Sequence, residues 1–132
     1  MVKKTPDNLP PLSDVQFEIM QEIWKRNEAT VSDVWEALAG RRAVARNTIL
    51  TLMDRLARKG WLKRRVAGHT HHYSAAVSHR STLGDVAQRM VDTAFAGSVD
   101  SLMLALIEGR GISDDEATRI RRLIDKAKSK SK

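Results

Sequence analysis

At 132 residues, 42% of them hydrophobic, the chain has enough apolar material for one domain, or for a compact domain with an appendage. It contains no cysteine, which excludes disulfides, zinc fingers, iron–sulfur sites and thiol nucleophiles and fits a reducing, cytoplasmic location. A formal charge of +7 turns attention to polyanions.

The opening stretch, MVKKTPDNLPPLS, lacks the apolar run of a signal peptide, and residues 1–11, with Pro6, Pro10 and Pro11, read as a flexible arm. Ser13 and Gln16 have the spacing of a capping box, so a helix starts there. Val15, Ile19 and Ile23 give it a core face, widened by Met20 and Trp24. Thr30, with Asp33 three residues on, starts a shorter helix whose apolar side is Val31, Val34 and Leu38 and which ends near Gly40. After the basic loop RRAVAR, a third helix spans roughly 46–59. Ile49, Leu52, Met53 and Leu56 form its inward stripe, and Gly60 stops it. In WLKRRVAGHTHHYSAAV the period changes from 3.6 to 2. Leu62 and Val66 alternate with Lys63 and Arg65, Gly68 supplies a turn, and His71, Tyr73 and Ala75 return on one face. This predicts a short hairpin with a basic outgoing strand.

From about residue 79 the pattern is helical again, with Leu83, Val86, Met90 and Ala94 on one face and Gly97 at the end. Ser98 caps a short helix, apolar almost all round, that contains LMLALI. That run is far short of the ~20 residues needed to span a bilayer, so a soluble protein with no membrane partner is expected. Ser113 and Glu116 form another capping box, and Ala117, Ile120, Ile124 and Ala127 line a final helix that frays into KSKSK. A helix apolar on all sides has to be enclosed, and a symmetric second copy does this economically. Leu83, Val86, Met90, Leu102, Leu104, Leu106, Ile120 and Ile124 are the expected homodimer contacts. At ~25 cal/mol per Å², burying the three leucines of that short helix would favour association by several kcal/mol. The competing reading folds these helices back onto the N-terminal part and leaves a monomer.

Three helices followed by a two-stranded hairpin is the order of a winged helix-turn-helix. The expected fold is therefore mainly α, with a winged-helix DNA-binding domain over 12–78 and a three-helix dimerisation region over 79–132 that ends in a frayed basic tail. Charge agrees with this. Residues 40–72 hold nine of the 23 Lys and Arg but one of the 16 acids, Asp54, a local charge of +8. With its apolar stripe turned inward, the third helix shows Asn47, Thr48, Thr51, Asp54, Arg55 and Arg58 on its other side. Asn and Arg make paired hydrogen bonds to adenine and guanine edges, and Thr can bond a base or meet a thymine methyl group. Asn47, Thr48, Thr51 and Arg55 are thus the expected base readers of double-stranded DNA. Arg46, Arg58, Lys63, Arg64 and Arg65 are the expected phosphate contacts.

GHTHHY places three of the four histidines at the hairpin tip. His69 and His71 are expected on one face and His72 on the other, so two imidazoles at most share an ion, and no metal site is expected. His69 and His71 instead read as further backbone contacts, which a protonated imidazole would strengthen below pH ~6.5. No cofactor-binding loop, carboxylate pair or Ser/His/Asp motif supports an enzyme. The alternative to DNA recognition is a winged-helix module that grips an acidic protein.

LSDVQFEIMQEIWKRNEATVSDVWEAL, NTILTLMDRLARKGWLKR and AGSVDSLMLALIE resemble the penicillinase-repressor family of bacterial transcription regulators (BlaI/MecI type), from about Leu12 to Leu123. Thr48, Thr51, Leu52, Arg55, Leu56, Lys59 and Gly60 all fall in the family's register. The resemblance implies a dimeric repressor on a palindromic operator, controlling resistance or stress genes. It also implies a regulatory protease pathway that cuts an Asn–Phe bond in the short apolar helix of antibiotic-responsive members. Ala105 and Leu106 hold those positions here, a departure that argues against the same cut. A copper-sensing branch uses a cysteine-rich motif that this chain lacks.

Overall fold

The computed structural model describes residues 9–130 and divides the chain into two compact units, Met1–Val86 and Ala87–Lys132. The elements in chain order are α1 (Asp14–Arg26), α2 (Val31–Ala39), α3 (Arg46–Arg58), β1 (Leu62–Ala67), β2 (Thr70–Ala75), α4 (His79–Ala94), α5 (Val99–Gly109) and α6 (Asp114–Lys130).

Local chemistry sets where α1 and α2 begin. Gln16 N–H donates to Ser13 Oγ at 3.2 Å and Ser13 N–H to Gln16 Oε1 at 2.9 Å. Thr30 and Asp33 do the same at 3.0 and 3.1 Å, so each box satisfies two backbone donors that have no partner within the helix. The three apolar stripes then meet: Ile19, Met20 and Ile23 from α1, Val31, Val34 and Leu38 from α2, and Ile49, Met53 and Leu56 from α3 are all buried. Trp61, Leu62, Tyr73 and Val77 close this core from the hairpin side. Val15, Trp24 and Leu52, expected inside, are only partly buried at its margin.

β1 and β2 pair antiparallel from Leu62↔Ala75 to Ala67↔Thr70, leaving Gly68 and His69 as a two-residue turn. Gly68 takes φ +64°, as the first central position of a type II′ turn requires. Two expectations for the hairpin fail here. His69 belongs to the turn, so it does not alternate with His71. Val66, on the Leu62 face, is 62% exposed, because the strands run out beyond the core at that point. A further extended residue joins the hairpin from far away in sequence: Ala29 and Tyr73 exchange backbone hydrogen bonds of 2.9 and 2.8 Å.

All three tryptophans tie a loop carbonyl to the core. Trp35 Nε1 donates to Val44 O at 2.9 Å, fixing the chain just before α3. Trp61 Nε1 donates to Pro10 O at 3.1 Å, and Leu9 packs on the core. Residues 9 and 10 of the expected flexible arm are therefore tied to the first unit; residues 1–8 lie outside the described residues. Trp24 Nε1 donates to Val77 O at 3.0 Å, and its ring stacks on His79 at 4.5 Å. Because Val77 is buried and His79 is stacked, the start of α4 belongs to the first unit. The division falls after Val86, inside α4, rather than at residues 78 and 79.

In the second unit, Ser98 caps α5 through Ser101 N–H at 3.1 Å. Glu116 N–H donates to Ser113 Oγ, while the Glu116 carboxylate takes Arg110 at 2.9 Å. α6 stays helical through Lys130, where fraying was expected; residues 131–132 lie outside the described residues. α5 buries none of its side chains. Among the described residues, no single helix is long and apolar enough to cross a membrane.

Candidate nucleic-acid interface

Ile49, Met53 and Leu56 hold α3 against the core, so its opposite side must face water. Asn47, Thr48, Thr51, Arg55 and Arg58 are all exposed there. Leu50, 39% exposed, is an apolar member of this helix surface that pattern reading missed. The signal was present: Leu50 lies off the line through Ile49, Met53 and Leu56, and an apolar residue off that line has to meet solvent or a partner. Ala45 precedes α3 as its N-cap and offers no side-chain oxygen, so no side chain caps the first-turn amides. Arg46 opens the helix and donates from Nε to Ser32 Oγ at 3.1 Å, fastening α3 to α2.

The basic residues do not all stand alone. Arg41 lies 3.5 Å from the buried Glu22 carboxylate, which also holds Arg26 at 3.3 Å, and Arg42 pairs with Glu18. Asp54 takes Arg58 at 3.0 Å on one oxygen and Arg64 at 3.5 Å on the other. The second pair joins the hairpin to α3. Arg65 forms a fork on Glu28, with Nη2 at 2.8 Å and Nε at 3.1 Å. That fork holds the Glu28 carboxyl below its ordinary range and raises the Arg65 guanidinium, while His72 Nδ1 stands 3.9 Å from the same carboxylate. Lys59 and Lys63 are exposed.

Strand register sorts the hairpin side chains. Arg64 lies opposite Tyr73 and Val66 opposite His71 on one face, while Arg65 lies opposite His72 on the other. His69 is exposed in the turn and His71 is exposed beside it. The three histidines therefore fan apart instead of converging.

The geometry brings Asn47, Thr48, Thr51, Arg55 and Arg58 to one helix face and Arg64 beside it. It places Lys63 and Arg65 on the far face of the hairpin. Sequence reasoning named Asp54 but not its pairings, and missed Glu28: Glu28 is 37 residues from Arg65, and Asp54 is 10 residues from Arg64.

The residues expected for pairing of two copies divide by exposure. Leu83, Val86, Met90, Leu104, Leu106 and Ile124 are exposed, whereas Leu102 and Ile120 are partly buried. Ala105, next to Leu106, is also exposed on α5. Met103, Ile107, Ile112, Ala117 and Ile120 line an open apolar groove in the second unit, with Arg121 at its edge.

Comparison with known proteins agrees with this architecture. The family model for the penicillinase repressor matches residues 12–126. The chain is 35% identical over 121 residues to the transcriptional regulator BlaI of Mycobacterium tuberculosis, covering 88% of this chain and 84% of that one. It is 25% identical over 115 residues to the methicillin resistance regulatory protein MecI of Mammaliicoccus sciuri, covering 87% and 94%. The solution structure of the DNA-binding domain of the repressor BlaI superposes with a TM-score of 0.51 at 26% identity, over 58% of this chain and 93% of that domain. Apo MarR from E. coli, 16% identical with a TM-score of 0.51 over 88% of this chain and 77% of its own, shares the fold. A family match over this length, together with the 35% identical relative, makes the chain a member of the penicillinase repressor family.

Proposed function

We propose that this protein is a DNA-binding transcriptional repressor that sits as a homodimer on a palindromic operator, with α3 in the major groove and the hairpin on the flanking backbone. The observation that carries this reading is the outward face of α3, where the short polar side chains of Asn47, Thr48 and Thr51 and the long cations Arg55 and Arg58 project from a helix fixed by core residues behind it. Asn47, Thr48, Thr51 and Arg55 read base edges. A helix must approach the groove floor closely, which favours Asn and Thr over long chains at its start.

Arg46, Arg58, Lys63, Arg64 and Arg65, with His69 and His71 at the hairpin tip, meet phosphates. Each guanidinium has five N–H donors, and Arg58, Arg64 and Arg65 spend only some on their carboxylate partners, so donors remain for DNA. The first-turn amides of α3 suit a phosphate for the same reason that any helix N-terminus suits an anion.

Pairing is supported by the exposed apolar side chains of α4, α5 and α6, including Leu83, Val86, Met90, Leu104, Leu106 and Ile124. A two-fold pair would present two copies of α3 ~34 Å apart, matching successive major grooves of a palindrome. Release by proteolysis at Ala105 and Leu106 has weaker support, since these residues lie within a regular helix and differ from Asn–Phe. A different inducing signal accounts better for that pair.

The test is to select duplexes from genomic fragments with the purified chain and compare them with scrambled duplexes at ~150 mM salt, where purely electrostatic binding fades. The selected duplex should bind far more tightly, and Thr51→Ala should cost ~1–3 kcal/mol of discrimination. Equal binding to both duplexes overturns the reading, and unchanged discrimination by Thr51→Ala overturns the placement of α3.

A further inference from the structure

We propose that Asp54 is a specificity-determining positioning residue: its carboxylate holds one guanidinium of α3 and one of the hairpin in place and withholds them from DNA whose phosphates arrive out of register. This rests on the reading of α3 and the hairpin as the DNA-binding surface.

Asp54 is the one acid among residues 40–72, and it stands on the helix face that presents Thr51, Arg55 and Arg58. A carboxylate there repels phosphate and weakens binding to every duplex, so affinity alone does not account for it. Stability gives it little reason either, because the Arg58 partner is 79% exposed, Arg64 is 43% exposed and stands at 3.5 Å, and exposed pairs contribute little. Its geometry supplies the missing reason. Each oxygen takes a different arginine, Arg58 at 3.0 Å from one helical turn ahead and Arg64 at 3.5 Å from β1. The carboxylate is thus the polar joint between two elements that grip DNA at different places.

A guanidinium held on one side keeps its other donors aimed in fixed directions. Operator phosphates in the right register meet those donors with the joint intact. On other DNA the phosphates fall elsewhere, and either the joint opens or the contacts are lost. Asp54 therefore weakens random binding more than operator binding, and the ratio between them rises.

The experiment uses the full chain, a duplex selected by the wild type, and a scrambled duplex of the same length and composition, followed by fluorescence anisotropy across a salt series. Asp54→Asn keeps the shape and removes the charge. It should bind the scrambled duplex about 5–10-fold more tightly at moderate salt, with a salt slope steeper by about 1. The selected duplex should change by less than about 3-fold, so discrimination falls. Asp54→Glu should retain most of the discrimination, and adding Arg64→Ala to Asp54→Asn should return the salt slope toward the wild-type value. Thermal melting of each variant reports folding separately.

The inference is overturned if Asp54→Asn leaves the ratio and slope unchanged. It is equally overturned if both duplexes weaken together, or if preference changes at a single base pair only, as a direct contact would produce. Wild-type protein that fails to distinguish the two duplexes would overturn the DNA-reading proposal itself, and this inference with it.

Discussion

Replacing Leu104 with Asp tests the proposed homodimer directly, because α5 buries none of its side chains and Leu104 is 54% exposed within one chain. The single chain should tolerate the change, since no fully buried contact is lost. In a dimer seated on α5 the consequences differ. Full burial of a leucine is worth ~1.5–3 kcal/mol, so the exposed half contributes about 1 kcal/mol in each copy. The carboxylate that replaces it must also be desolvated, at a further cost of a few kcal/mol for the pair even when water reaches part of it. Together these weaken association by roughly 4 kcal/mol or more, about 1,000-fold in Kd. Sedimentation velocity over a concentration series measures this, with far-UV circular dichroism as the check on folding. The wild type should be dimeric at micromolar concentration, and Leu104→Asp should be monomeric up to about 100 μM with its helix signal retained. A wild-type monomer at that concentration, or a variant that dimerises as before, would refute the reasoning.

The core, the caps and the hairpin of the first unit carry further expectations. Met53→Ala removes a fully buried side chain from the centre of the winged helix and should cost about 2–5 kcal/mol in urea denaturation; a smaller loss would mean the core collapses around it. Thr30→Ala should cost about 1 kcal/mol through loss of the α2 cap, read in the same assay. The Thr30 backbone N–H is the main group that lowers the Asp33 carboxyl below its ordinary value. Asp33 thus contributes stability above the ordinary carboxylate value, and that stability is lost as pH falls through the lowered folded-state value. Denaturation midpoints from pH 7 down to about pH 3 should fall less steeply for Asp33→Asn than for wild type. His69→Gln with His71→Gln should weaken the selected and scrambled duplexes alike, as loss of backbone contacts does; a double variant with wild-type affinity removes the hairpin histidines from the interface.

Local chemistry made much of the fold legible in the sequence. Ser13 with Gln16, and Thr30 with Asp33, are separated by three residues, and each pair forms the box its spacing predicts. The stripes of α1, α2 and α3 were equally readable, since a helix with one apolar side has one way to face a core. What escaped was set by contacts between distant residues. The Ala29–Tyr73 bridge, the Trp61 bond to Pro10 and the His79 stack on Trp24 each depend on packing that no short window contains. The hairpin shows how narrow the margin is. A two-residue turn takes His69 out of the alternation, and Val66 has the right parity for the core yet stands past its edge.

The candidate site shows the same limit in its charges, with a consequence for binding. Along the chain, residues 40–72 carry nine cations against one acid. In space, Glu18, Glu22 and Glu28 approach from earlier in the chain to meet Arg42, Arg41 and Arg65, while Asp54 engages Arg58 and Arg64. Five of the nine are ion-paired; Arg46, Arg55, Lys59 and Lys63 have no carboxylate partner among the described residues. A linear count would put the salt slope for one subunit on a half-site near −8, at about 0.9 per phosphate neutralised. If the paired arginines stay largely engaged with their acids, the slope falls nearer −4. Leu104→Asp protein on a half-site duplex isolates that number from dimer assembly. A slope near −8 would mean that DNA strips the carboxylates from their arginines, and that the ion pairs are only the resting state of the free protein.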